Sequence, residues 1–282
     1  MLSTTHFHAL SFWATLTVSP VAVLAQSGTS GTVSATPHDS YSSSVGVLGC
    51  KVDTDRIAYW PGSVDCNNIC VTLSYQGRSV NLLRVDSSQG AHDVSYDAWN
   101  YLVTGFPATQ KPSAGGGIDM DFQYQNPSKC ADLIHTDGHK LPLSAPNSMD
   151  FLASCLEQSG SWVSQNYVLY NILDAVCSFG VDEKCTLDWP TANQPACPHM
   201  LGNPVALTTD PVFNILYPSG DKVLASTGQV ISTGGTPGGD VGGGSGEDSG
   251  TMNLIPGLFG MPAIAAMLSL AFFHLFMFSW PS

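Results

Sequence analysis

The placement of the eight cysteines is the feature that most limits how this chain can fold. All of them lie between residues 50 and 197 of the 282-residue chain. An even number of cysteines in a chain bound for an oxidising compartment predicts a disulfide framework, here one of four bridges. The spacing bounds a cysteine-rich domain at residues 46–206 and leaves the pairing open. The cysteines are Cys50, Cys66, Cys70, Cys130, Cys155, Cys177, Cys185 and Cys197.

The N-terminus carries the features of a secretory signal. Residues 1–37 and 249–282 contain no Asp, Glu, Lys or Arg, so the whole formal net charge of −13 falls on the residues between them. The first of these uncharged ends has an apolar stretch that finishes in small residues at Ala25. This pattern predicts a signal peptide over residues 1–25, and therefore a mature chain that folds in an oxidising environment.

The C-terminus carries the features of a lipid-attachment signal. Small residues, a short polar spacer and a 27-residue apolar tail at 254–280 follow one another. This order is typical of glycosylphosphatidylinositol (GPI) attachment, after which residues 245–282 are removed. A resident membrane helix is the alternative, but the basic residue that normally follows such a helix is missing. We expect attachment at Gly244, with Gly243, Ser245 and Ser249 as alternatives.

Both signals together predict a protein on the outer face of the plasma membrane or in the cell wall of a eukaryotic cell. Residues 26–45 are rich in Ser, Thr and Gly and predict a flexible arm. Residues 207–250 predict a Gly- and Ser-rich stalk, although apolar residues near Phe213 and Ile215 favour one last strand there. Hydroxyls in the arm and the stalk are candidates for O-glycosylation, which would make the mature protein a glycoprotein.

Local patterns predict a disulfide-rich α+β domain, with strands in its first half and short helices over residues 128–206. Residues 69–75 and 79–86 alternate on either side of a Gln-Gly pair, which predicts a hairpin. Ser95 is placed to cap a helix that follows. In the second half, helices are predicted over residues 149–157 and from Ser161 to about Cys177.

Several kinds of site and partner have little support in the residues. Zinc is the main alternative for the Cys66-x3-Cys70 pair and for the stretch from His135 to His139. An oxidising compartment favours disulfides instead, so we expect no metal, and no cofactor motif is present. The acidic chain lacks the basic patch of a nucleic-acid-binding protein, so we expect no nucleic-acid partner.

One run of residues carries a family resemblance. It has a strand led by Cys70, a turn at Gly77, a strand ending at Asp86, and the sequence Asp93-Val-Ser before a helix. This order resembles the core of double-psi β-barrel domains, as in expansins, barwin and rare lipoprotein A. The resemblance implies a small β-barrel at about residues 50–125, with its first strand at residues 56–60. The whole chain is also similar to uncharacterised GPI-anchored surface proteins of fungi.

The resemblance implies candidate site residues as well. In glycan-acting members of the superfamily, the aspartate before the apolar-Ser pair lines the polysaccharide groove, and the matching residue here is Asp93. Its alternative role is structural, as an acceptor of backbone N–H groups. Glycoside chemistry generally needs a second carboxylate or an equivalent polar partner, and Asp86 and Asp97 are near in sequence without being assignable. The family's phenylalanine between His92 and the aspartate is absent, and its catalytic threonine region has no clear match.

Aromatic residues near this run are candidates for stacking against sugars. Tyr59, Trp60 and Tyr96 are assigned as ligand-binding candidates together with Asp86, and Tyr59 and Trp60 are expected to be exposed. Helical spacing favours burial for Trp99.

Three functions follow from these expectations. The preferred one is a surface module that binds or organises cell-wall polysaccharide without hydrolysing it, so we expect no enzymatic activity. The second is a wall-glycan hydrolase or transglycosylase with Asp93 as general acid. The third is an inhibitor or effector that binds a basic protein partner, since residues 46–206 hold 16 acidic and 8 basic side chains.

Overall fold

A closed six-stranded barrel forms the first half of the described chain. The computed structural model describes residues 30–234, so the predicted signal peptide, the GPI signal and all four candidate attachment residues lie outside it. The barrel strands are β1 (Ser30–His38), β2 (Ile57–Pro61), β3 (Cys70–Tyr75), β4 (Arg78–Ser88), β5 (His92–Ser95) and β6 (Ile118–Gln125). Their order is β1-β5-β2-β4-β3-β6, and β6 pairs with β1 to close the barrel. The predicted α+β fold with a small barrel in its first half is confirmed.

The pairing of the barrel strands mixes two directions. Strands β1 and β5 run parallel, as do β2 and β4, whereas the remaining neighbours are antiparallel. The predicted hairpin is the β3–β4 pair. Its turn residues Gln76 and Gly77 both have positive φ, at 48° and 78°. Two such residues in a row make the turn twist with the strands, which is why a Gln-Gly pair is a good hairpin signal.

The segment predicted as a flexible arm contains the first barrel strand. Residues 30–35 of strand β1 pair with β6, and residues 35–38 pair with β5, so every residue of the strand has a partner strand. Its inward side chains are small, as Val33 and Ala35 illustrate, and its outward ones are Ser and Thr. The strand is therefore held by barrel closure rather than by large apolar residues, and the flexible-arm interpretation is wrong for residues 30–38.

Alternate side chains along the strands fill the barrel interior. Ala58 and Trp60 on β2 belong to one apolar cluster, whereas Ile57 and Tyr59 belong to another that lies outside the barrel wall. Helix α1 (Tyr96–Thr104) places Trp99 in the interior cluster with 1% of its surface exposed, as expected from its spacing. Burial of the outer cluster joins the barrel to the second half of the chain.

The second half is a three-stranded sheet with two short helices. The strands are β7 (Leu141–Ser144), β8 (Tyr167–Ile172) and β9 (Gly180–Cys185), and the helices are α2 (Met149–Leu156) and α3 (Trp162–Gln165). Helix α2 agrees with the prediction. The predicted long helix from Ser161 is wrong, because α3 ends after one turn and residues 167–172 pair in parallel with β7. Tyr, Val and Ile at these positions favour a strand once a partner strand is available.

A third, small sheet follows at the C-terminal end of the described chain. It consists of β10 (Phe213–Ile215), β11 (Lys222–Leu224) and β12 (Val230–Ser232), paired in that order. Ile215 packs into the barrel's apolar cluster and is 7% exposed. The folded part thus extends past residue 206, and only the later part of the predicted stalk range lies beyond the described residues.

All eight cysteines are paired, as predicted. The bridges are Cys50–Cys177, Cys66–Cys155, Cys70–Cys130 and Cys185–Cys197. Two of them, Cys50–Cys177 and Cys66–Cys155, link the N-terminal half to the second sheet and its helices. Four disulfides indicate a chain that folds in an oxidising environment.

Two kinds of feature are absent from residues 30–234. No helix there is long and apolar enough to cross a bilayer. Within the same residues, no three His, Cys, Asp or Glu side chains converge in a metal-binding arrangement.

Candidate functional site

Four side chains form a row across neighbouring strands on the outer face of the barrel. Thr36 on β1 is the register partner of Asp93 on β5, which is in turn opposite Tyr59 on β2. Tyr59 is the register partner of Asp86 on β4. Register partners share a face of the sheet, so the order Thr36, Asp93, Tyr59, Asp86 defines what we call the barrel row. The structure therefore brings together three of the residues singled out from the sequence.

The open end of the barrel row is the Thr36–Asp93 pair. The hydroxyl of Thr36 donates a hydrogen bond to Asp93 Oδ1, and both residues are half-buried. His38, two residues further along β1, lies on the same face, and its ring contacts that of Tyr59 in a tilted arrangement with 4.5 Å between ring centroids. A half-buried carboxylate with a hydroxyl and an imidazole beside it can accept hydrogen bonds from a polar ligand and donate hydrogen bonds to it.

The other end of the row is covered by the chain itself. Asp86 is 8% exposed, and three groups donate hydrogen bonds to its carboxylate. They are Ser42 Oγ at 2.5 Å, the Ser44 amide at 2.9 Å and the Ser87 amide at 2.7 Å. A carboxylate with both oxygens engaged holds the segment after β1 in place. Asp86 is therefore a structural residue in this conformation, and Asp93 is the carboxylate of the row that faces solvent.

The aromatic residues predicted to bind sugars are buried. Tyr59 and Trp60 are 4% and 2% exposed, so the expectation that they are exposed is wrong. Burial, with the nearby Asp86 carboxylate, raises the pKa of the Tyr59 hydroxyl far above its usual range. Tyr96 is 1% exposed, and its hydroxyl donates to the carbonyl oxygens of Ser113 and Pro218. The three rings build the fold rather than an open stacking platform.

Trp60 belongs to an aromatic cluster at one end of the barrel interior. Its ring meets those of His92, Phe122 and Tyr124 edge to face, with centroids 5.1, 5.1 and 5.9 Å away. Burial and the nearby guanidinium of Arg84 lower the pKa of the His92 imidazole. The cluster closes this end of the barrel, and the side chains of His92, Phe122 and Tyr124 shield the Trp60 ring from solvent.

Sequence reasoning missed Thr36 and His38 because they lie in the predicted arm. The alternation of Thr32, Ser34 and Thr36 with Val33 and Ala35 was the available signal for a strand. Ser95 was also interpreted incompletely. It does occupy the N-cap position of α1, but its hydroxyl accepts from the Ile57 amide at 2.9 Å instead of capping the helix.

The largest described cavity lies on the second sheet, away from the barrel row. It has a volume of about 500 Å³ and is lined by Tyr167, Tyr170, Lys140 and Lys184 among others. Lys184 is already paired with Asp137 at 2.8 Å. None of the residues assigned to catalysis or ligand binding from the sequence lines this cavity, although the disulfide residue Cys185 does.

The fold and the row define a disulfide-rich α+β domain built on a six-stranded closed barrel. Comparison of the chain with known protein families, with curated proteins and with solved structures finds no match in any of the three.

Proposed function

We propose that this protein is a GPI-anchored cell-surface module whose barrel binds cell-wall polysaccharide at the Thr36–Asp93 end of the barrel row, without hydrolysing it. The predicted signals at the two ends of the chain place the module outside the cell. Four disulfides fit that location.

The strand pairing supports a relationship with double-psi barrels. Two parallel pairs, β1 with β5 and β2 with β4, are interleaved within one closed six-stranded barrel. Thr36 donates a hydrogen bond to Asp93 from the neighbouring strand, so a hydroxyl group lies beside the candidate groove aspartate. Both observations support the proposal that the row binds a glycan.

One observation favours binding over hydrolysis. Glycoside hydrolysis generally uses two carboxylates, one as acid and one as base or nucleophile. In the row, both oxygens of Asp86 accept hydrogen bonds from the chain, which leaves Asp93 as the carboxylate available to a ligand. A lone carboxylate paired with a hydroxyl is suited to holding sugar hydroxyls.

Retention on wall polymers tests the proposal. The full chain, purified from a eukaryotic expression host, is incubated with insoluble β-glucan, chitin and cellulose, and the bound fraction is measured. We expect retention on at least one polymer, and a loss of about fivefold or more in Asp93→Asn, as befits removal of a charged hydrogen-bonding group. Asp119→Asn is the matched control, because Asp119 is an exposed aspartate on strand β6, which does not pair with the strand of Asp93.

Three outcomes contradict the proposal. The first is absence of retention on every polymer, and the second is unchanged retention in Asp93→Asn. The third is release of soluble sugar by the wild type but not by Asp93→Asn, which would show the hydrolase function instead.

The anchor has its own test. Treatment of membranes with a GPI-specific phospholipase is expected to release the protein, and mass spectrometry should find the chain ending near Gly244. A protein that stays membrane-bound and keeps residues 254–280 would contradict the anchor and leave the binding test unaffected.

A further inference from the structure

A second cavity with sugar-binding chemistry lies between the barrel and the C-terminal sheet. This space, which we call the C-terminal cleft, has a volume of about 460 Å³ and is lined by Thr54, Asp55, Asp97, Thr109, Phe213 and Lys222 among others. Its walls come from the loop before β2, from α1 and the loop after it, and from strands β10 and β11. The volume is within the range of roughly 300–1,000 Å³ that is typical of small-molecule sites.

The two carboxylates of the cleft have different surroundings. Asp97 is 6% exposed, and both of its oxygens are engaged. Oδ2 is 2.9 Å from Arg56 Nη1, and Oδ1 accepts from the Ala108 amide at 2.7 Å. Asp55 is half-buried, and its carboxyl group accepts no hydrogen bond from any residue between 30 and 234. The cleft thus presents one fixed carboxylate and one with free hydrogen-bonding capacity.

The charges around Asp55 make this free group easy to protonate. Burial, followed by the carboxylates of Asp97 and Asp53, raises the pKa of Asp55 from 3.8 to about 7, against the opposing effect of Arg56 and Lys222. Near neutral pH the group is therefore present both as an acid, which donates a hydrogen bond, and as a carboxylate, which accepts. Leaving such a group in a cavity is unfavourable for folding, and perturbed groups of this kind cluster at functional sites.

The remaining wall offers what a sugar ring needs. Phe213 is partly exposed, and Lys222 Nζ lies 4.2 Å from its ring centroid. The ring supplies an apolar face for sugar C–H groups, while Lys222, Thr54 and Thr109 supply donors and acceptors for hydroxyls. The positive charge of Lys222 nearly balances the negative charge of the Asp55 carboxylate, so a neutral ligand suits the cleft better than an ionic one.

We propose that the C-terminal cleft binds a neutral sugar unit of a glycan, with Asp55 as its central hydrogen-bonding residue. A separate small pocket of about 10 Å³ shares Asp55 and Asp97 with the cleft and is also lined by His38 and Tyr59. The cleft and the barrel row therefore lie on the same side of the barrel. The two sites use different residues, so each can be tested without the other.

The affinity of the cleft is expected to fall as pH rises. A bound sugar displaces water from Asp55 and so makes its ionised form still less favourable. Ligand binding then raises the pKa of Asp55, and by linkage the affinity decreases as pH passes through the titration of the free group. The charged groups that act on the titration of Asp55 are Asp97, Asp53, Arg56 and Lys222. The small pocket beside Asp55 is also lined by the titratable residues His38, Asp39, Tyr59 and Tyr96.

The test uses soluble hexasaccharides of β-1,3-glucan, chitin and cellulose with the full chain from a eukaryotic host. Isothermal titration calorimetry at about pH 5.5 and about pH 8.5 gives the two affinities, and we expect the higher pH to weaken binding about threefold or more. Hydrogen–deuterium exchange should show protection of residues 213–224 on binding. Asp55→Asn resembles the protonated acid, so it should bind with an affinity that no longer depends on pH.

Controls and contrary outcomes separate this proposal from the previous one. Asp119→Asn on strand β6 should keep both the hexasaccharide affinity and the pH dependence of the wild type. Three results overturn the proposal: no binding of any hexasaccharide at either pH, an unaltered pH dependence in Asp55→Asn, or protection confined to β1 and β5. Loss of polymer retention in Asp93→Asn bears only on the barrel row.

Discussion

The hydroxyl of Thr36 donates to the Asp93 carboxylate across the parallel strands β1 and β5. These residues are 57 positions apart in the chain, and the segment that carries Thr36 had the composition of a flexible arm. The hydrogen bond thus joins the first strand of the barrel to the one side chain that the family resemblance had marked as a candidate acid. The same contact therefore belongs both to the wall of the barrel and to the proposed binding site.

Thr36→Val should lower the free energy of unfolding by about 1 kcal/mol, because a hydrogen bond to a charged acceptor is lost at a half-buried site while the shape of the side chain is kept. Thr32→Val is the matched control on the same strand. Its hydroxyl bonds Asp121 at 2.8 Å, but the pair is exposed, so only a few tenths of a kcal/mol are expected. Denaturant unfolding of both variants measures the difference. Equal losses would contradict a special role for the Thr36–Asp93 contact.

The disulfides should differ in their contributions to stability. Cys66–Cys155 closes a separation of 89 residues between the barrel and α2, whereas Cys185–Cys197 closes one of 12 residues. In the chain-entropy account, the longer loop restricts the unfolded chain more, by about 2 kcal/mol. Unfolding of the two double Cys→Ala variants should show this order. A larger loss on removing Cys185–Cys197 would contradict it.

The C-terminal sheet should depend on Gly220 for its docking. This residue has φ of +74°, and a Cβ atom there would lie 2.2 Å from the Ala108 carbonyl oxygen. Gly220→Ala is therefore expected to separate the sheet from the barrel and expose residues 213–232 to proteolysis, with a loss of at least about 2 kcal/mol.

Gly228→Ala is the control for that experiment. Gly228 has φ of +71° in the same sheet, but no atom lies within 4 Å of the Cβ position. Only the backbone penalty of about 1 kcal/mol should remain, without added proteolysis. If both variants are cleaved alike, the contact with Ala108 does not hold the sheet.

The parts of the fold that were predictable are those in which local pattern and tertiary context agree. The hairpin around Gln76 and the helix after Ser148 have strong local signals, and the structure has both. Strand β1 has small and hydroxyl side chains, so its conformation depends on partners distant in sequence. Strand β8 has helical spacing of its apolar residues, but parallel pairing with β7 decides its conformation.

The candidate site shows the same division. Asp93 was identified through the family resemblance. A family pattern indicates which residues of neighbouring strands lie opposite each other, and a single sequence does not. Tyr59 and Trp60 were expected to be exposed because a Pro-Gly pair follows them, yet alternation along β2 places them in the two apolar clusters. The raised pKa of Asp55 could not be predicted from the sequence, because its largest cause is burial in the folded protein and its second is the carboxylate of Asp97 on α1.

The stability of the protein should fall as pH rises from about 4 to about 7, and Asp55 should be a main cause. The folded-state pKa of Asp55 is about 7, above the ordinary value of 3.8, so the folded chain binds this proton more tightly than the unfolded chain does. Its contribution to stability is therefore fully present below about pH 4 and is lost as pH rises through the folded-state pKa, by at most about 4 kcal/mol. Denaturant unfolding across this range measures the slope.

Asp55→Asn cannot ionise, so it should match the wild type near pH 4 and exceed its stability near pH 8, whereas the exposed-site control Asp119→Asn should follow the wild type throughout. Parallel curves for the wild type and Asp55→Asn would show that Asp55 ionises without cost in the folded protein, and the cleft would then lack the protonated group on which its proposed pH dependence rests.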